Sequence, residues 1–313
     1  MAQVVLGIGH SHTPQISVDP EEWPNLGKTE QVSRNVPDNL DELLQVDLFR
    51  AKHARVQGAV KQLGQIIRSA NVDAIVIFGD DQHEQFTDDN MPAVAIYHGD
   101  KVEVHPRRAR PAGSTFPTLH LEQTATEYPN AAGLATHLIA SLTEQEFEIT
   151  RSNSLKAERG IGHAFSFLYQ RLWPECDVPI VPVMINTYFP PNQPTPKRCH
   201  DLGKAVREAV GTWTGGQRVA VMASGGLSHI VIDEAIDQQA LDALQAKDTR
   251  ALHALPREQL VGGTSEILNW VALDGAVGPL PMTLIDYIPG YRSRPSTGCA
   301  MAFAYWQAPG RAA

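Results

Sequence analysis

Residues 73–83 read Asp-Ala-Ile-Val-Ile-Phe-Gly-Asp-Asp-Gln-His, five apolar residues in a row closed by a glycine and a polar turn that carries a histidine. An unbroken apolar run, rather than alternation, predicts a strand covered on both faces, as in a parallel sheet packed between helices. The same unit recurs outward from it. Residues 4–8 lead into His10 and His12, residues 178–185 form another apolar run, and residues 218–223 lead into Ser-Gly-Gly-Leu-Ser-His at 224–229. Helical spacing of apolar residues fills 40–70, 131–142, 202–213 and 234–255, and Thr264 or Ser265 is placed to cap a helix over 266–273. The predicted fold class is therefore α/β: a single compact domain over 1–313, with a central, largely parallel or mixed sheet flanked by helices. Residues 92–97 and 101–104 are expected to pair as a hairpin, 19–37 to form a loop or flap, and 286–292 to form a closing loop before a last strand at 299–306.

The 313 residues are 42% hydrophobic and 19% charged with a net charge of -9, which disfavours nucleic acid or an anionic membrane as the main partner and favours a small molecule. No stretch approaches the roughly 18 apolar residues of a membrane span. Residues 1–9 lack the basic start and long apolar core of a secretory signal, so a cytoplasmic protein is expected. The three cysteines, Cys176, Cys199 and Cys299, have no Cys-x-x-Cys spacing and are read as reduced thiols.

Chemistry is concentrated in five histidines and one glutamate set in short loop-like or cap-like contexts: His12, His83, His137, His163, His229 and Glu266. Two histidines and a carboxylate gathered from distant segments suit a mononuclear non-haem iron(II) site, because three protein ligands on one face leave positions for substrate and dioxygen. Each residue also has a plain reading: Glu266 as a helix cap, His83 as a surface-turn histidine, His137 as a satisfied histidine on a helix. If the segment after the first strand stays extended, His10 and His12 share a face and the residues alone do not choose between them. Arg292 offers a guanidinium fork for a substrate carboxylate, or only a solvated charge, and Tyr291 is a candidate for the mouth of a pocket.

Four strings in order, Ser-His-Thr-Pro at 11–14, His83 after its strand, Ser-Gly-Gly-Leu-Ser-His at 224–229 and Thr-Ser-Glu-Ile-Leu-Asn-Trp at 264–270, resemble the class III extradiol ring-cleavage dioxygenases over nearly the whole chain. The resemblance implies that His12, His83 and Glu266 ligate Fe(II), that His229 is the catalytic base, that His137 is a second acid/base, and that His163 lies beside the substrate pocket. It implies a catecholic aromatic acid (gallate, 3-O-methylgallate or protocatechuate) as substrate with O2, and a homodimer. The string Tyr-Arg-Ser-x-Pro-x-Thr-Gly at 291–298 is similar to the gallate and methylgallate branch. Relatives commonly carry Asp directly before the second metal histidine, whereas this chain has Gln82, which leaves the supporting partner of His83 open. A zinc hydrolase with the same ligands and a non-catalytic aromatic binder are the rival expectations.

Overall fold

In the computed structural model, residues 1–26, 36–105, 125–156, 159–216 and 218–309 are described. In chain order the strands are β1 (Gln3–His10), β2 (Ala74–Gly79), β3 (Val94–Tyr97), β4 (Lys101–Val104), β5 (Thr126–Pro129), β6 (Thr150–Ser152), β7 (Ile180–Ile185), β8 (Arg218–Ser224), β9 (His229–Val231), β10 (Met282–Tyr291) and β11 (Thr297–Trp306). The helices are α1 (Leu40–Leu43), α2 (Val46–Ser69), α3 (Ala132–Glu144), α4 (His163–Phe167), α5 (Pro196–Thr212), α6 (Glu234–Ala246), α7 (Thr249–His253) and α8 (Ile267–Val277).

The main sheet runs β10-β11-β1-β8-β2-β7-β3-β6, with β9 added to β11. Its centre, β1-β8-β2-β7, is parallel. The apolar runs are divided residue by residue between the two faces: Val76, Phe78, Val183 and Val221 join a core with α3, α5, α6 and α8, while Ile75, Ile77, Ile180 and Met222 join a core with α2 and α4. Covering both faces is what makes an unbroken apolar strand stable, because each side chain leaves water whichever way it points. The mixed α/β sheet flanked by helices is thus the fold that the sequence predicts.

Three local expectations are corrected. Residues 92–97 and 101–104 form no hairpin: β3 pairs antiparallel with β7 and parallel with β6, whereas β4 pairs with β5 in a separate two-stranded sheet. Residues 286–291 belong to strand β10, paired along β11, rather than to a loop. The helical stretch 234–255 breaks at Lys247, whose φ of 56° is left-handed, into α6 and α7. Of the expected flap at 19–37, residues 20–25 form a 3-10 turn with Trp23 buried, and 27–35 lie outside the described residues.

Because β1, β8, β2 and β7 are parallel neighbours, their carboxyl ends open on one edge, and the segments that follow them meet there.

Candidate active site

His12 follows β1. Ser11 is tied to β11, its N–H donating to the Ala302 carbonyl at 3.1 Å and its hydroxyl accepting from the Ala302 N–H at 3.0 Å. The next residue is thereby set over the end of β8, with His12 Nδ1 3.0 Å from the Ser224 hydroxyl and Nε2 3.6 Å from Glu266 Oε2. Burial lowers the His12 pKa against the pull of Glu266. Burial thus favours the neutral ring. His10 is directed elsewhere: its ring stacks on Phe167 at 4.8 Å and its Nδ1 lies 3.1 Å from the Ser11 carbonyl.

Burial drives the His10 pKa from 6.5 down to about 3. Between these values the unfolded chain binds a proton that the folded chain refuses, so stability is complete above pH 6.5 and is lost as pH falls toward 3, by about 1.4 kcal/mol per pH unit. Acid unfolding of His10→Phe, followed by circular dichroism, is expected at a lower pH midpoint than in the parent. An unchanged midpoint would show that His10 does not carry this acid sensitivity.

Glu266 ends a 3-10 turn, Gly262–Glu266, and stands at the start of α8, fully buried. Its Oε2 accepts from the Gly226 N–H at 2.6 Å, and its Oε1 accepts from the Tyr188 hydroxyl at 2.9 Å and the Gln82 amide at 3.2 Å. The first turn of α8 braces the same backbone, Asn269 donating to the Ser224 carbonyl and Trp270 Nε1 to that of Gly225. A Cβ at Gly225 would lie 2.9 Å from that of Glu266, so only glycine lets turn and helix come this close. Burial alone would raise the Glu266 pKa, but His229 and His12 more than reverse it and hold the carboxyl ionised, well below its ordinary range.

Past the end of β2, Asp80 is fully buried, and its carboxylate, His12 and Glu266 offer ligand atoms that all lie within 4.8 Å of one another. Burial and then the Glu266 charge push the Asp80 pKa up to about 7. Gln82 Nε2 donates to Asp80 Oδ2 at 3.0 Å as well as to Glu266. Asp81 closes the turn by accepting the N–H groups of Gln85 and Phe86 at 2.8 and 2.9 Å.

Within that turn His83 adopts φ 60° and is directed away from this group. Its ring stacks on Phe189 at 3.9 Å and its Nε2 pairs with Asp88 at 3.0 Å. The expected triad is corrected here, since the structure brings His12 and Glu266 together with Asp80 rather than with His83.

His229 opens β9. Its Nδ1 lies 2.9 Å from the Leu227 carbonyl, which can only accept, so Nδ1 carries a hydrogen. Nε2 is 3.1 Å from the Tyr188 hydroxyl and 3.2 Å from Glu266 Oε1. Burial lowers the His229 pKa, but the Glu266 charge and hydrogen bond outweigh it and the net shift is upward. A Cβ at Gly263 would overlap the imidazole, which seats the ring closely against the 3-10 turn. Behind it, Asp237 accepts from the Ser228 N–H, the Ser228 hydroxyl and the Tyr287 hydroxyl, at 2.6 to 2.8 Å, fixing the turn that presents His229.

His163 borders the group, its ring edge-on to His12 at 4.6 Å and its Nδ1 2.8 Å from Glu84. Arg292 is buried, 9% exposed, and burial lowers its pKa; among the described residues no carboxylate pairs with it. Tyr291 is corrected: its hydroxyl donates to Glu234 at 2.8 Å, and its ring faces Lys52 rather than the group around Glu266.

His137 is also corrected. Its Nε2 contacts the Ala209 carbonyl at 2.9 Å and Thr212 Oγ1 at 3.1 Å in the last turn of α5. That turn leads to Trp213, whose carbonyl takes the N–H of Ala2 before β1 begins. His137 therefore sits at the amino-terminal edge of the parallel strands, opposite the site. Sequence reasoning missed Tyr188, although it follows the carboxyl end of β7 just as Asp80 follows β2.

Residues 42–287, more than half of the chain, match the family model described as the catalytic LigB subunit of aromatic ring-opening dioxygenase. The chain belongs to this family. The class III extradiol superfamily that the motifs pointed to is thus the right one, and the LigB match takes in Asp80, Tyr188, His229 and Glu266, with His12 ahead of it.

A gallate dioxygenase of Pseudomonas putida is 31% identical over 160 residues, 47% of this chain and 45% of the relative. A 2,3-dihydroxyphenylpropionate/2,3-dihydroxicinnamic acid 1,2-dioxygenase of Cupriavidus necator is 29% identical over 179 residues, 57% of this chain and 50% of the relative. One of the same description from Photorhabdus laumondii is 28% identical over 183 residues, again 57% and 50%. The matching segment spans about half the length of these curated relatives, or slightly less. No helix of the described residues is long and apolar enough to cross a membrane.

Proposed function

We propose that this LigB-family protein is an iron(II)-dependent extradiol dioxygenase that opens a catecholic aromatic acid of the gallate, 3-O-methylgallate or protocatechuate kind next to its diol. The observation that supports it best is the convergence of His12, Asp80 and Glu266 at the edge where His229 and Tyr188 also arrive. The donors fit a divalent ion. Two buried carboxylates repel one another, Asp80 Oδ1 has no hydrogen-bond partner, and a neutral imidazole stands beside them. His12, Asp80 and Glu266 would hold the ion, which when bound supplies the place where both catechol oxygens and dioxygen meet.

The protein's own groups account for the proton chemistry. In its neutral form His229 has its hydrogen on Nδ1, donated to Leu227, so Nε2 is the atom that takes a substrate hydroxyl proton. The Tyr188 hydroxyl, 3.1 Å from that nitrogen and 2.9 Å from Glu266, holds the imidazole in place beside the carboxylate. His163, edge-on to His12, serves as a wall for the aromatic ring, and the buried Arg292 guanidinium reads the substrate carboxylate. Substrate and O2 are then the partners, and a homodimer in the cytoplasm is the setting proposed for the protein.

The direct test is anaerobic loading of the protein with Fe(II), addition of a panel of catecholic acids, and admission of air in an oxygen electrode. Uptake of O2 with a yellow ring-opened product is expected. No uptake with any of the panel, or full turnover with zinc alone, would overturn the reading.

A further inference from the structure

We propose that Asp80, together with the carboxamide of Gln82, takes the place of a second histidine in the cation site, so that the site is oxygen-rich and His83 has no part in it. This rests on the metal-dependent reading above and goes beyond it in naming donors and ion preference. Three observations carry it. His83 is engaged on the other side of its turn by Phe189 and Asp88, and its carbonyl accepts from Arg159 at 2.6 Å, so its imidazole is held away from Glu266. Asp80 Oδ1 is buried without a hydrogen-bond partner, an arrangement that costs stability unless something positive answers it. The third concerns Gln82, whose amide nitrogen lies 3.0 Å from Asp80 Oδ2 and 3.2 Å from Glu266 Oε1.

These are hydrogen-bond distances, and they place the amide against both carboxylates, where it would stand beside an ion that the two held. The amide nitrogen, with its two hydrogens, bridges the two carboxylates. A half-turn of the amide about its last bond puts Oε1 in that position, ready to act as a donor. One imidazole, two carboxylates and an amide oxygen form a harder set than two imidazoles and one carboxylate. The preference therefore moves from zinc and copper toward manganese and iron(II).

The test is anaerobic titration of metal-free protein with Mn(II), Fe(II) and Zn(II), read by calorimetry and by the Mn(II) electron paramagnetic resonance signal. His83→Asn is expected to bind Mn(II) within about threefold of the parent. Asp80→Asn is expected to bind it at least about 100-fold more weakly and Gln82→Ala about 10-fold more weakly, the range seen when supports and donors of a metal site are removed. Gln82→Glu should restore or tighten binding.

Metal-free Asp80→Asn should melt no lower than the parent, because it removes an uncompensated buried charge, an outcome that a purely structural aspartate would not give. Should that variant fail to fold, Gln82→Ala against His83→Asn still decides. Loss of Mn(II) from His83→Asn with retention by Gln82→Ala overturns the inference while leaving the dioxygenase reading intact. A parent protein that binds none of the three ions defeats both.

Discussion

His229→Phe is expected to lose at least about 100-fold in turnover while keeping its metal, because it removes the proton acceptor and preserves the ring's shape. The base acts only when neutral, so activity of the parent should fall as pH drops through the His229 pKa, which Glu266 raises in the metal-free protein, and this limb should be missing from the residual activity of the variant. Metal content after gel filtration and a pH–rate profile check both. A variant that comes off the column without metal would assign His229 to ligation instead of proton transfer.

Glu266→Gln is the second large effect. The amide keeps one acceptor oxygen, for either the Gly226 N–H or the Tyr188 hydroxyl but not both, and removes the negative charge, so metal affinity should fall at least about 100-fold and O2 uptake should drop to background. With that charge gone, burial acts on His229 unopposed by its main counterweight, and the imidazole pKa should fall below its parent value. Anaerobic metal titration and the histidine proton resonances report the two changes. Binding as tight as in the parent would leave Glu266 with the part that its position at the start of α8 already explains.

How much of this was legible in the sequence differed from element to element. The strands at 74–79, 180–185 and 218–224 could be read because burial on both faces leaves an unbroken apolar run, and the run alone fixes their class. Glu266 was found through the Thr-Ser-Glu-Ile-Leu-Asn-Trp string at 264–270 and the family resemblance it carries, helix capping being the plain alternative. The pairing of β3 was missed because its partners β7 and β6 are far away in sequence, and no short-range signal names them.

Strand β10 was taken for a loop because of Pro289 and Gly290. It lies at the sheet's outer edge, where a proline costs no ladder bond on the open side. The exchange of His83 for Asp80 turns on one left-handed residue in a turn closed by Asp81, a conformation that composition does not announce. Tyr188 was within reach, since the rule that sent attention to the ends of β1, β2 and β8 applies equally to β7.

The bonds of His137 to α5 have a practical consequence for anyone wishing to improve this protein. They lie beside the start of β1, at the rim of the sheet that faces away from the reaction. Helices α3 and α5 can therefore be tightened there by substitution, raising heat tolerance, while the pocket keeps its shape and substrate range.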